Sequence, residues 1–136
     1  MSDTVLLEAA REIWEQAYVP YSKFRVGAAI KTKSGKVYKG CNIENAAYPV
    51  TCCAERVAIF KAISEGEREF TRLAVIADTD RPVPPCGSCR QVLSEFCDPN
   101  MEVEIANLKG DVKIMKMEEL LPFSFTPKDL RDGQEN

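Results

Sequence analysis

Two short clusters carry residue types that do chemistry: Cys53-Ala54-Glu55 and Pro85-Cys86-Gly87-Ser88-Cys89. Cys86 and Cys89, three apart at the mouth of an expected helix, place both sulfurs on one face within reach of a single ion. Cys53 stands equally at the start of another expected helix. Helix N-termini carry unpaired amide hydrogens and partial positive charge, which favour the thiolate, the form that binds metal. Two such ends facing each other assemble a three-thiolate site. Zn²⁺ held by three protein groups keeps its fourth position for water, whereas a fourth cysteine closes the site and makes it structural. Glu55, in the first turn of the Cys53 helix, then reaches that water without being a ligand, as a proton carrier must. Three thiolates on one divalent cation leave an excess negative charge that lowers the acidity of the water. Arg56 and Arg90, each beside one cluster, are the candidates to offset it by donating to the sulfurs, and Arg56 is the expected one.

The composition narrows the chemistry further. The chain has no histidine among its 136 residues, which removes Ser-His-Asp and Cys-His pairs, imidazole proton shuttles and every His-containing metal site. Eighteen basic and twenty-one acidic residues give a net charge of −3, so no global positive field gathers phosphates and nucleic acid is excluded as an expected partner. The longest apolar run, Leu73-Ala74-Val75-Ile76-Ala77, is far short of the ~20 residues that span a bilayer. The start, Met1 to Glu8, has no basic segment ahead of a long apolar stretch, so no secretion signal is expected and the cytoplasm is the expected compartment. In a reducing compartment six cysteines read as metal ligands, catalytic groups or buried small side chains rather than disulfides.

Competing readings of the same residues exist. Cys86-Gly87-Ser88-Cys89 by itself is also a redox motif. Cys52 or Cys53 with Cys97 or Cys41 would complete a closed four-sulfur site, although Cys97 falls on an apolar helical stripe and Cys41 in a strand, where a small buried hydrophobe is the default. Phe24, Tyr48 and Phe125 read equally as core or interface aromatics, Glu55 as an exposed helix-start acid, and Asn42 as a turn residue.

The elements that must position these groups follow from periodicity. Ser2-Asp3-Thr4 offers cap oxygens, and Leu6, Ala9, Ala10, Ile13 and Ala17 follow at helical spacing until Pro20. Extended patterns from Arg25 to Thr32 and Lys36 to Ile43 flank Ser34-Gly35 as a hairpin. A helix begins near Thr51 or Cys52 and ends at Gly66. Arg72 to Ala77 reads as a buried strand, and a Pro-rich loop then delivers the chain to a third helix just after Pro85, with Cys89, Val92, Leu93, Phe96 and Cys97 as its buried stripe. Met101 to Ala106 and Val112 to Met117 alternate around Lys109-Gly110-Asp111, and Thr126-Pro127 starts a short helix before a frayed tail, Arg131 to Asn136. Such alternation predicts an α/β fold, three-layer α/β/α with a single mixed sheet of about five strands, in one domain over residues 1–136.

The two clusters, with Pro20-Tyr21-Ser22-Lys23-Phe24, Gly27-Ala28, Gly40 to Tyr48 and Cys89-Arg90-Gln91, resemble the short homotetrameric cytidine deaminases of the zinc nucleoside and nucleobase deaminase superfamily. An H-x-E then P-C-x-x-C signature, with cysteine allowed in place of histidine, is a general description of that superfamily. The resemblance implies a cytidine deaminase-like fold with one Zn²⁺ per subunit on Cys53, Cys86 and Cys89, and Glu55 as catalytic acid and base. It implies hydrolytic deamination of cytidine and 2′-deoxycytidine in pyrimidine salvage. Residues matching Phe24 pack on the pyrimidine, those matching Asn42 and Glu44 bind ribose hydroxyls, and Ala54 is a further substrate contact. Ala46, Tyr48 and Phe125 are expected to approach the site of a neighbouring subunit. Deamination of a related aminopyrimidine such as blasticidin S, and a non-catalytic structural-zinc module, are the alternative functions.

Overall fold

Residues 3–135 are described by a computed structural model; Ser2, one of the expected capping residues, and Asn136, the end of the tail, lie outside them. The first helix, α1 (Thr4–Trp14), starts where Asp3 accepts a hydrogen bond from the Leu6 amide, as a short acidic side chain at an N-cap does. It stops at Trp14 rather than continuing to Ala17, because the chain turns there and seats Ala17 and Val19 against Cys41. β1 (Val26–Thr32) and β2 (Val37–Cys41) form the expected antiparallel hairpin, with Gly35 at φ +92° in the turn.

The second helix, α2 (Ala54–Ser64), begins two to three residues later than periodicity suggested. Tyr48–Val50 form a single 3₁₀ turn, and Cys52 exchanges two backbone hydrogen bonds with Ile43, which keeps the chain extended up to Cys53. At the other end, the amides of Gly66 and Glu67 donate to the carbonyls of Ile63 and Ala62, the paired bonds of a Schellman turn with glycine in the left-handed position. β3 (Phe70–Ala77) follows, then a loop, α3 (Gly87–Phe96), β4 (Glu102–Asn107) and β5 (Val112–Lys116), the last two pairing as an antiparallel hairpin. A four-residue helix that periodicity did not reveal, α4 (Met117–Leu120), precedes α5 (Pro127–Glu135). In α5 the Thr126 hydroxyl and Asp129 carboxylate cap each other's amides, and residues 131–135 continue the helix instead of fraying.

The five strands form one mixed sheet in the order β2-β1-β3-β4-β5, with β3 and β4 parallel and the other pairs antiparallel. Alternation along the strands divides the core between the two faces. Ala29, Ala74 and Ala106 lie under Leu6 and Ala10 of α1, while Ile30, Leu73, Val75, Val103 and Ile105 pack with Ala58 and Ile59 of α2 and Leu93 of α3. A fully buried leucine or isoleucine contributes about 1.5–3 kcal/mol, so both layers are held by ordinary apolar burial. Two glycines set the helix distances. A Cβ on Gly27 would run into the Ala10 carbonyl of α1, and one on Gly40 would meet the backbone of α2 at Ala54 and Ala58. The sheet therefore holds α2 in close backbone contact, which fixes where Cys53 and Glu55 stand.

Candidate active site

Cys53 is the N-cap of α2 and Cys86 that of α3, with Cys89 in the first turn of α3. Neither N-cap sulfur caps its own helix, so both are free to face across the gap. Cys53 Sγ lies 3.7 Å from Cys86 Sγ, Cys86 Sγ lies 3.2 Å from Cys89 Sγ, and all three fall within 4.8 Å of one another. Sulfurs bound at ~2.3 Å in a tetrahedral array sit about 3.8 Å apart, so the cluster fits one zinc ion with a small opening of the Cys86–Cys89 pair. The four-sulfur alternative finds no support among the described residues. Cys41 is buried with Ala17 and Val19, Cys97 is buried in the main core, and Cys52 is outside the cluster.

Arg56 and Arg90 separate clearly. An Arg56 Nη donates to Cys53 Sγ at 3.3 Å and to the Thr51 carbonyl at 3.2 Å, and its buried Nε has no partner among the described residues. Arg90 instead donates to the carbonyls of Pro85 at 2.7 Å and Leu120 at 2.8 Å, tying the loop before Cys86 to the end of α4. The electrostatics follow. The Cys53 thiol is held down at about 5, first by its hydrogen bond with Cys89 and then by Arg56 and Cys86, against the opposing effect of burial. Cys89 moves the other way, raised by the same bond to Cys53 and by burial.

Glu55 is not an exposed helix-start acid: it is 4% exposed. Burial first, with the neighbouring Cys53 thiolate, raises its carboxyl to about 7. It lines a cavity of about 300 Å³ together with Cys53 and Cys86. The cavity opens at the carboxyl end of β3, where Val75 and Ala77 form part of its wall.

These features coincide with a known pattern: residues 1–105 match the family model for the cytidine and deoxycytidylate deaminase zinc-binding region. The chain belongs to this deaminase family. It is 55% identical over 125 residues to a cytidine deaminase of Sporosarcina psychrophila, covering 92% of each protein. The 1.6 Å crystal structure of cytidine deaminase from Burkholderia pseudomallei superposes with a TM-score of 0.89 at 48% identity, over 92% of this chain and 100% of that one. A blasticidin-S deaminase of Bacillus cereus is more distant, 35% identical over 132 residues, covering 91% of this chain and 92% of that protein.

In this deaminase-family chain the remaining expected site residues divide into two groups. Phe24, Asn42, Glu44, Tyr48 and Ala54 line the cavity with Glu55; Ala46 and Phe125 do not, and both are exposed. Tyr48, expected at a neighbour's site, thus also borders its own chain's cavity. Asn42 Oδ1 accepts from the Val26 amide at 2.9 Å and its Nδ2 donates to the Phe24 carbonyl at 2.7 Å. Glu44 Oε1 accepts from the amides of Tyr21 and Ser22 at 3.0 and 3.1 Å. Burial pushes the Glu44 carboxyl up, but the hydrogen bonds from Ser22 and Tyr21 and the charge of Lys23 outweigh it and leave it below the usual carboxylate range.

Several wall positions escaped sequence reasoning, with Ser22, Val26, Val75 and Ala77 among them. Thr51 lines the cavity while its carbonyl receives Arg56. Val83 and Pro84, in the segment read only as a connecting loop, form another wall. The cluster of prolines there was the available signal, since a stiff loop directly ahead of a candidate ligand cysteine is able to shape a pocket.

Proposed function

We propose that this chain, as one domain spanning residues 1–136, hydrolyses cytidine and 2′-deoxycytidine to uridine and 2′-deoxyuridine with release of ammonia. The observation that carries the proposal is a buried carboxyl, Glu55, in the wall of the same cavity as Cys53 and Cys86 of the zinc-compatible cluster. Zinc held by Cys53, Cys86 and Cys89 supplies, when bound, the Lewis acidity that makes water nucleophilic near neutral pH. Glu55 takes the proton from the attacking water, passes it to ring N3, and then helps a proton reach the amine that leaves C4. Arg56, donating to Cys53 Sγ, offsets part of the thiolate charge.

The other cavity residues hold the nucleoside. Phe24 packs on the pyrimidine ring. Ala54 occupies the first position of α2, where the amide has no intrahelical acceptor, and donates to the base. An amide side chain has two donors and two acceptor sites and a carboxylate about four acceptor sites. Asn42 and Glu44 therefore retain hydrogen-bonding capacity for the ribose hydroxyls beyond the scaffold bonds they make. A carboxylate at that place also repels a phosphate on the sugar, which favours nucleosides over nucleotides and polynucleotides.

The exposed Ala46, Tyr48 and Phe125 approach the site of a neighbouring subunit in a homotetramer. Among the described residues no helix is long and apolar enough to cross a membrane. Six free cysteines suit the cytoplasm, a reducing compartment, and deamination of free nucleosides gives the chain a role in pyrimidine salvage. Ammonia release and loss of cytidine absorbance, measured alongside zinc content, test the activity; zinc-loaded protein that turns over no cytidine refutes it. Rates on cytidine, cytidine monophosphate and blasticidin S test the substrate, and preference for either of the latter two overturns it. Sedimentation tests the tetramer.

A further inference from the structure

The wall made by Val83 and Pro84 is held from a distance. Asn107, the last residue of β4, is 2% exposed and uses its whole amide side chain. Its Oδ1 accepts from the amides of Lys109 at 3.1 Å and Asp111 at 2.9 Å, and its Nδ2 donates to Asp111 Oδ2 at 2.8 Å and to the Asp80 carbonyl at 3.3 Å. An asparagine side chain offers two donors and two acceptor sites, and here all four are engaged. Three of these bonds build the β4–β5 turn; the fourth leaves it and grips the loop between β3 and α3. That loop starts beside Asn107, whose register partner is Ala77. It passes Asp80, lines the cavity at Val83 and Pro84, and reaches the Pro85 carbonyl, where Arg90 holds it. Lys109 Nζ adds an ion pair to Asp80 at 2.6 Å, but both side chains are exposed, and such pairs contribute little. The buried amide is the stronger anchor.

We infer that Asn107 is a positioning residue for the substrate: through the Asp80 carbonyl it sets the height of the Val83-Pro84 wall and so the fit of the base and sugar, with no part in zinc binding or proton transfer. The inference rests on the cytidine reading for the identity of the ligand alone, and wild-type turnover tests that reading separately. Two variants distinguish the tether from the turn. Asp111→Ala removes a bond inside the turn and leaves the tether. The swap Asn107→Asp with Asp111→Asn reverses donor and acceptor within the turn, keeping its internal bonds, but sets an acceptor against the Asp80 carbonyl.

The expected result for the swap is wild-type zinc content, a near wild-type Tm, a kcat within about twofold, and a KM for cytidine raised about fivefold or more, the equivalent of one net hydrogen bond. Asp111→Ala is expected to lower Tm and leave KM unchanged. A swap protein with wild-type KM, a KM that follows Tm across the two variants, or a swap that does not fold despite its restored turn, overturns the inference.

Discussion

Gly40 lies thirteen residues from the nearest proposed ligand in sequence, yet it should control the site. Replacing it with alanine puts a methyl group 2.5 Å from the Ala54 carbonyl oxygen and 3.0 Å from Ala58 Cα, where ordinary contact begins at 3.4 Å. Both obstacles belong to the backbone of α2, so no side-chain rotation relieves them. The first turn of α2 must retreat by about 1 Å. Overpacking of this kind costs about 1–3 kcal/mol. The same retreat carries Cys53 away from Cys86, now 3.7 Å apart, and moves Glu55 with it. A misplacement of about 1 Å costs about 100-fold in rate. Gly40→Ala should therefore lower Tm by several degrees, weaken zinc retention against a chelator, and reduce kcat/KM for cytidine about 100-fold. Gly27→Ala is the control. Its methyl group meets Ala10 and Trp14 of α1 on the opposite face of the sheet, so it should lose comparable stability and keep zinc and most turnover at a temperature where it is folded. Scanning calorimetry, metal analysis and steady-state kinetics on both proteins decide the matter. A Gly40→Ala enzyme with unchanged zinc retention and rate, or one matched in every respect by Gly27→Ala, shows that close helix–sheet approach does not place the site.

Glu55→Gln should retain zinc and fold, because shape is kept, and lose about 10²–10⁴ in kcat because proton transfer is lost; full activity in a cytidine assay contradicts the assigned role. Arg56→Gln removes the cation that donates to Cys53 and should weaken zinc affinity about tenfold or more, read by competition with a colorimetric chelator, with an unchanged affinity as the contrary result. Cys97 is raised to about 12 by burial; since the thiolate reacts and the thiol does not, only about one molecule in 10⁴ is reactive at pH 8. Iodoacetamide labelling of Cys97 in the native protein should thus be very slow at pH 8, rise about tenfold per pH unit, and become fast in denaturant. Mass spectrometry showing rapid native labelling refutes the burial argument.

Much of this protein is determined within short stretches of chain. Cys53-Ala54-Glu55 and Cys86-Gly87-Ser88-Cys89 offer the candidate ligands and a candidate carboxylate partner locally, and the absence of histidine removes every chemistry that needs an imidazole. The strands, the first hairpin and three longer helices are equally local, because periodicity and turn residues act over a few positions. Tertiary structure decided the rest. The start of α2 depends on Cys52 pairing with Ile43, which closes the segment between β2 and α2, a bond without a signature in residue type or periodicity. Whether Arg56 or Arg90 reaches sulfur depends on what lies opposite each guanidinium, and the carbonyls of Pro85 and Leu120 claim Arg90. The burial of Glu55 follows from packing α2 on the sheet over Gly40. Asn107 reads as an ordinary turn residue until the loop at Asp80 comes within reach of its amide. Residue type and spacing specify which groups are available, whereas distance, burial and the partners of each polar atom exist only once remote segments are packed together.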